Sequence, residues 1–327
     1  MRALVRVSLI SAMLGWSLGA VAAPKRMKAG VVTPKDRSLS QGLFKFAELL
    51  EKETDGEIKV QVFTDGVLGG DRQVLESLQM GTVQATTVST GPLASFAPRF
   101  NAFDLPFLFK DKATAYRVVD GPLGEELLGD LSKAGFVGLA YWENGYRHLT
   151  NSKREVKTVG DIKGLKIRTL ENALHVELWR TLGANPTPMA YTQLYTALEQ
   201  KVVDGQENPF GNVKTSKFDE VQRFLTKTGH VYNASPFLIS KAFWDTLTDP
   251  EKAAVKKAAV EARDYQRKLN DDEDKEAERY LAGRGMKITD FPQAEKDKAL
   301  TLLQPLYKEY SGKIGADLVQ RLQAATR

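Results

Sequence analysis

Four polar side chains sit where an open α/β sheet would present them to a ligand, at the ends of segments that read as strands: Arg147, Arg168, Asn208 and, opening the next helix, Tyr191. In such sheets small molecules bind beyond the carboxyl ends of the strands. Arg168 closes the segment LKIRT, where an arginine is either a surface charge or a clamp for an anion. A planar guanidinium is the best side-chain partner for a carboxylate. Arg147 follows the apolar run GFVGLAYW in GYRH and has the same two readings. Asn208 ends VVDGQEN, where an amide can bind an anion without adding charge, and Tyr191 reads either as a pocket wall or as core packing.

The usual catalytic sets are missing from the sequence. The three histidines, His148, His175 and His230, have no metal-ligand spacing with each other or with nearby carboxylates. With zero Cys there is no thiol nucleophile, no thiolate metal site and no disulfide scaffold. Neither a G-x-S-x-G elbow nor a P-loop occurs. The run Gly66-Val67-Leu68-Gly69-Gly70 lacks the lysine and the spacing of a phosphate loop and reads as an ordinary turn. No catalytic residue, metal or cofactor is therefore expected.

The elements that must position the polar set fit a globular protein of 327 residues, 42% hydrophobic and 27% charged. That length exceeds what one core usually serves, so two lobes are expected. Residues 1–22 read as a cleaved secretory signal: Arg2 and Arg6, the apolar run Val7 to Leu18, then Ala20-Val21-Ala22. Without it, 44 basic residues face 41 acidic ones, an excess too small and too dispersed for nucleic acid. The expected compartment is the periplasm.

Strands are predicted at 27–32, 57–63, 83–88, 135–142, 165–169 and 202–207, and helices at 42–54, 71–80, 157–163, 172–182 and 191–201. Two successive βα units imply a parallel sheet in the first lobe. Thr248-Asp249-Pro250-Glu251 is a strong helix start, and nothing breaks the helix before Leu281. At 1.5 Å per residue it runs roughly 50 Å, enough to span two lobes. Its polar stretch NDDEDKEAE reads as a solvated face with i,i+4 pairs.

GLKIRT (164–169), GANPTPMA (183–190), LYTALE (194–199) and VDGQENP (203–209), with LGGDR, DLPFLF and ENGYRHLTN, resemble in order and spacing the solute-binding proteins of tripartite ATP-independent periplasmic (TRAP) transporters. The resemblance implies a two-lobed Venus-flytrap fold of α/β class, with mixed sheets and a long lobe-bridging helix. It places 23–144 with about 234–265 in one lobe and 145–233 with about 266–327 in the other. It also implies capture of a small organic acid and its delivery to integral membrane permease subunits. Arg168 takes the position of the carboxylate clamp, assisted by Asn208 and Arg147, with Tyr191 as a wall.

Sialic-acid binders carry Glu and Arg where this chain has VSTGP, so Ser89 and Thr90 are its polar groups there. Glu171 and Asn172 are expected to read hydroxyls, which favours a hydroxy or sugar acid over a plain dicarboxylate. A binding protein that feeds a sensor fits the same residues; a periplasmic hydrolase or lyase would need an acid–base pair or metal that the sequence does not supply.

Overall fold

The computed structural model describes residues 23–326, so the predicted leader lies outside the described residues. Eleven strands form two mixed sheets. Strands β1 (Lys25–Gly30), β2 (Ile58–Phe63), β3 (Ala85–Thr87) and β4 (Phe136–Tyr146) belong to the first sheet. Strands β5 (His148–Asn151), β6 (Lys166–Thr169), β7 (Asn185–Pro188), β8 (Gly205–Asn208) and β9 (Phe224–Lys227) belong to the second; β10 (Tyr232–Ser240) returns to the first and β11 (Lys287–Asp290) to the second. The strand orders are β2-β1-β3-β10-β4 and β11-β9-β5-β8-β6-β7. The predicted βα units make β1 parallel to both β2 and β3, and β10 enters antiparallel between β3 and β4.

Two strands carry the chain between lobes. β4 runs four residues past its predicted end, and only Arg147 separates it from β5 in the other sheet. β10 pairs with it from Tyr232↔Tyr146 to Ser240↔Phe136 and makes the return crossing. All nine residues of β10 are buried, which removes the apolar/polar alternation by which a strand is usually recognised.

The third crossing is the helix Asp249–Gly283, capped by Thr248, which accepts from Glu251 N–H while the Glu251 carboxylate accepts from Thr248 N–H at 2.7 Å. Val255, Ala258, Ala259 and Ala262 pack in the core of the first lobe, whereas Ala277 and Leu281 pack in that of the second. The acids of its stretch Asn270 to Glu278 bind partners outside the helix rather than pairing along it as expected. Asp271 and Asp274 bind Lys112, Glu273 binds Arg37, Glu276 binds Lys214 and Glu278 binds Lys227. Because those partners come from both lobes, the acidic stretch ties the helix to its surroundings.

The C-terminal residues depart from the expected division. β11 joins the second sheet, but the helices Gln304–Ile314 and Ala316–Ala325 fold back onto the first lobe. There Tyr307 Oη donates to Pro106 O at 2.5 Å and Arg321 pairs with Glu126 at 2.8 Å.

Candidate functional site

The cleft between the lobes is closed down to a cavity of about 20 Å³. Its wall includes Arg147, Asn208, Tyr191 and Ser89 from the predicted set, together with Asp71, Asn144 and Asn212. That volume holds about one water molecule. Any organic acid must therefore part the lobes to enter and be seated.

Arg168, on β6, is not on the cavity wall but packs beside Tyr191, which is. It is 1% exposed. Nε and Nη2 donate to Met189 O at 2.9 and 2.6 Å, and the Tyr191 ring lies 6.0 Å from its Cζ. Nη1 is buried and has no hydrogen-bond partner among the described residues. Burial lowers its pKa to about 10, partly offset by Glu207, so the group remains cationic at neutral pH. A buried cation whose Nη1 has no acceptor is costly unless an anion completes it.

Arg147 differs in kind. Its fork is already filled by Glu207, with Nε to Oε2 at 2.5 Å and Nη2 to Oε1 at 2.8 Å, while Nη1 reaches Asn233 Oδ1 at 3.2 Å. Burial raises the Glu207 pKa, but Arg147 and a hydrogen bond from His230 outweigh it and hold the carboxyl below its ordinary range. Sheet register creates this pair, since β5 and β8 run antiparallel with Leu149 opposite Glu207. The two arginines therefore differ: Arg168 keeps a donor without an acceptor, whereas Arg147 is bound within the protein.

The remaining predicted residues separate. Asn208 faces the cavity, its amide held by Gln206 (2.5 Å) and Asn212 (3.0 Å). Tyr191 Oη is tied to Ser216 Oγ at 2.6 Å. Thr90 is not on the cavity wall; it bonds Asp104 at 2.5 Å and accepts from Asn233 at 3.0 Å. Asn172 caps the helix Ala173–Thr181, and its amide donates to Gly91 O and Asn101 Oδ1, both at 2.8 Å, in the other lobe. Glu171 lines an outer groove with Arg72 and Ser95 rather than the cavity. Leu170 packs inward and Asn172 is held as a cap, so the intervening side chain is turned outward. His175 is structural, bonded to Asp104 Oδ2 at 3.0 Å.

Asp71 is the group that sequence reasoning missed. It opens the helix Asp71–Gln79 and reaches the cavity from the lobe opposite Arg168. Desolvation pushes its pKa up to about 6, against the lowering effects of Arg168 and Arg147. Its position after a strand and a glycine turn was the available signal. That turn also has a closing role: a Cβ at Gly66 would lie 2.4 Å from Thr192 Cγ2 of the other lobe. It is a seat for the opposing lip, not a phosphate loop.

Residues 29–313 match the family model for bacterial extracellular solute-binding protein, family 7. The chain belongs to that family. It is 40% identical, with a TM-score of 0.91 and coverage of 93% of this chain and 98% of the other, to a sugar acid binding protein from Advenella mimigardefordensis in complex with galactonate. A TRAP periplasmic solute-binding protein from Polaromonas bound to D-erythronate is 39% identical, with a TM-score of 0.89 over 92% of this chain and 98% of the other. The 2,3-diketo-L-gulonate-binding periplasmic protein of Escherichia coli (strain K12) is 37% identical over 82% of each chain.

The protein is thus a TRAP solute-binding protein, and its family works in the periplasm with membrane permease partners. Among the described residues no helix is long and apolar enough to cross a membrane, and no group of three His, Cys, Asp or Glu is placed to hold a metal ion.

Proposed function

We propose that the protein, exported to the periplasm by a cleaved signal at residues 1–22, captures a hydroxylated monocarboxylate without transforming it and presents it to its permease. The observation that carries this reading is the uncommitted Arg168 Nη1, buried at a strand end beside the cleft. An entering carboxylate completes its hydrogen bonding. Asn208 and Tyr191 line the adjacent cavity, and Ser89 with Asn144 supplies further polar groups there.

Asp71, rather than Glu171, is positioned to read the rest of the ligand. An ionised carboxylate only accepts hydrogen bonds, so it favours hydroxyls and repels a second carboxylate. This agrees with the galactonate and D-erythronate held by the two similar structures.

A thermal-shift panel of D-galactonate, D-erythronate, 2,3-diketo-L-gulonate and succinate tests the reading. A ligand at a hundred times its Kd adds about 2.7 kcal/mol to the folded state. At least one hydroxylated acid should raise the melting temperature, and more than succinate does. A panel that leaves the melting temperature unchanged, or that responds to succinate alone, would overturn the assignment.

A further inference from the structure

A second cavity, of about 650 Å³, lies behind the hinge and shares no lining residue with the cleft. Alternation along the crossing segment explains the separation. Tyr146 and His148 point into the hinge cavity, whereas Arg147 between them points into the cleft. The volume falls within the range of small-molecule sites. Phe107 and Phe109 wall it from the first lobe, Phe210 from the second, and Phe291 from the segment after β11.

The charges on the wall balance in number, Lys110, Lys227, Lys275 and Lys296 against Asp274, Glu278, Asp290 and Asp297, but they are unevenly paired. Glu278 and Asp290 are both bound to Lys227, at 3.0 and 2.7 Å; Asp274 is turned to Lys112 and Asp297 accepts from Gln293. Lys275 and Lys296 form no ion pair among the described residues. Lys296 Nζ lies 3.9 Å from where a Cβ on Gly229 would stand, and Gly229 N–H donates to His148 Nδ1 at 3.1 Å. A cation and an imidazole therefore converge beside one glycine. Burial, and then the charges of His230, Lys296 and Lys227, push the His148 pKa down to about 3, so the ring is neutral. With Nδ1 accepting, the proton sits on Nε2, a donor facing the cavity.

Phe107 adds an independent sign. Its φ is +58°, the left-handed region that a bulky side chain avoids, and its N–H is pinned to His230 O at 2.8 Å. Strain of this kind costs about 1–3 kcal/mol and clusters at ligand sites and switch regions.

We propose that the hinge cavity is a second ligand site that takes an aromatic monocarboxylate, its carboxylate between Lys296 Nζ and His148 Nε2 and its ring against Phe107, Phe210 and Phe291. Because both lobes and the crossing segment line the cavity, an occupant biases their relative position. Its binding and that of the cleft ligand are coupled by the same factor in each direction.

The probes are 1-naphthoate and its neutral counterpart 1-naphthol, titrated into the full mature chain by calorimetry. Naphthoate should bind one-to-one, and Lys296→Met should weaken it by about tenfold or more, the worth of one charge-assisted hydrogen bond. Lys296 is partly exposed, so that variant should melt as the parent does. Arg168→Ala should leave naphthoate binding intact, which separates this site from the cleft whatever the cleft ligand proves to be. The proposal is overturned if naphthoate fails to bind, if 1-naphthol binds as tightly, if Lys296→Met has no effect, or if Arg168→Ala abolishes naphthoate binding.

Discussion

Arg37 Nε donates to Asn212 Oδ1 at 2.6 Å, joining the start of the first helix of one lobe to a short helix, Phe210–Thr215, of the other. The same guanidinium binds Asn144 O at 2.7 Å on the crossing strand and Asn270 Oδ1 at 2.6 Å midway along the bridging helix. Asn212 in turn donates to Asn208 Oδ1 at 3.0 Å. One buried arginine thus connects both lobes, the crossing strand and the bridging helix, and through Asn212 it reaches an amide on the cavity wall.

The approach is close enough to require glycine at 211, where a Cβ would stand 2.8 Å from Arg37 Cζ. Gly211→Ala should leave the open protein folded but hinder closure. Losing one charge-assisted hydrogen bond costs about 1.5–3 kcal/mol, so affinity for the best panel ligand should fall by about tenfold or more. Calorimetry, with paired spin labels reporting the lobe distance, checks both effects. Unchanged affinity and unchanged distances would mean that Arg37 holds the fold alone.

Arg147 and Arg168 should respond differently to truncation. Arg147→Ala leaves Glu207 buried with only His230 beside it and no cation, a loss of about 3–5 kcal/mol for a broken buried pair. Urea unfolding of Arg147→Ala should therefore show a much lower midpoint, and Arg168→Ala little change. Equal stability of the two variants would contradict the division between a paired arginine and an uncommitted one.

Asp71, with its pKa at about 6, links ligand choice to protons. A second carboxylate nearby raises that pKa further, whereas hydroxyl donors favour the ionised form. At pH 7, succinate binding should take up protons and galactonate binding should take up fewer. Calorimetry in buffers of different ionisation enthalpy reads the difference, and Asp71→Asn should remove it. A difference that survives in Asp71→Asn assigns the linkage to another group.

His148 should make the fold acid-sensitive. Its folded pKa of about 3 lies below the ordinary value of 6.5, so between those values the unfolded chain binds the proton that the folded chain refuses. The stability present above pH 6.5 is lost progressively as pH falls toward 3. His148→Gln should flatten the dependence of the urea midpoint on pH over that window; an identical slope would place the sensitivity elsewhere.

The strand-end rule picked out Arg147, Asn208 and Tyr191, which the structure brings to one cavity wall, and Arg168, which packs beside Tyr191; β6 and β8 end near where apolar patterning and glycines place them. The bridging helix was legible from its capping box. Pairing was not. Glu207 claims Arg147 only once β5 and β8 are in register, and nothing local to GYRH indicates that. Side-chain direction was equally hidden at 170–172, where neighbouring residues face the cavity, the outer groove and the opposite lobe. Asp71 joins the cleft through closure, a contact between segments about a hundred residues apart that no sequence window contains. β10 escaped notice because its full burial erases alternation and Pro236 interrupts its pattern.

The most direct test of the account is titration of D-galactonate into the parent and into Arg168→Ala, at one pH and ionic strength. Removing one partner of a desolvated charge pair costs about 2–5 kcal/mol, some thirty- to several-thousand-fold in Kd. The account predicts one-to-one binding by the parent, and a loss of that size in a variant that still melts cooperatively. Undiminished binding by Arg168→Ala would contradict it.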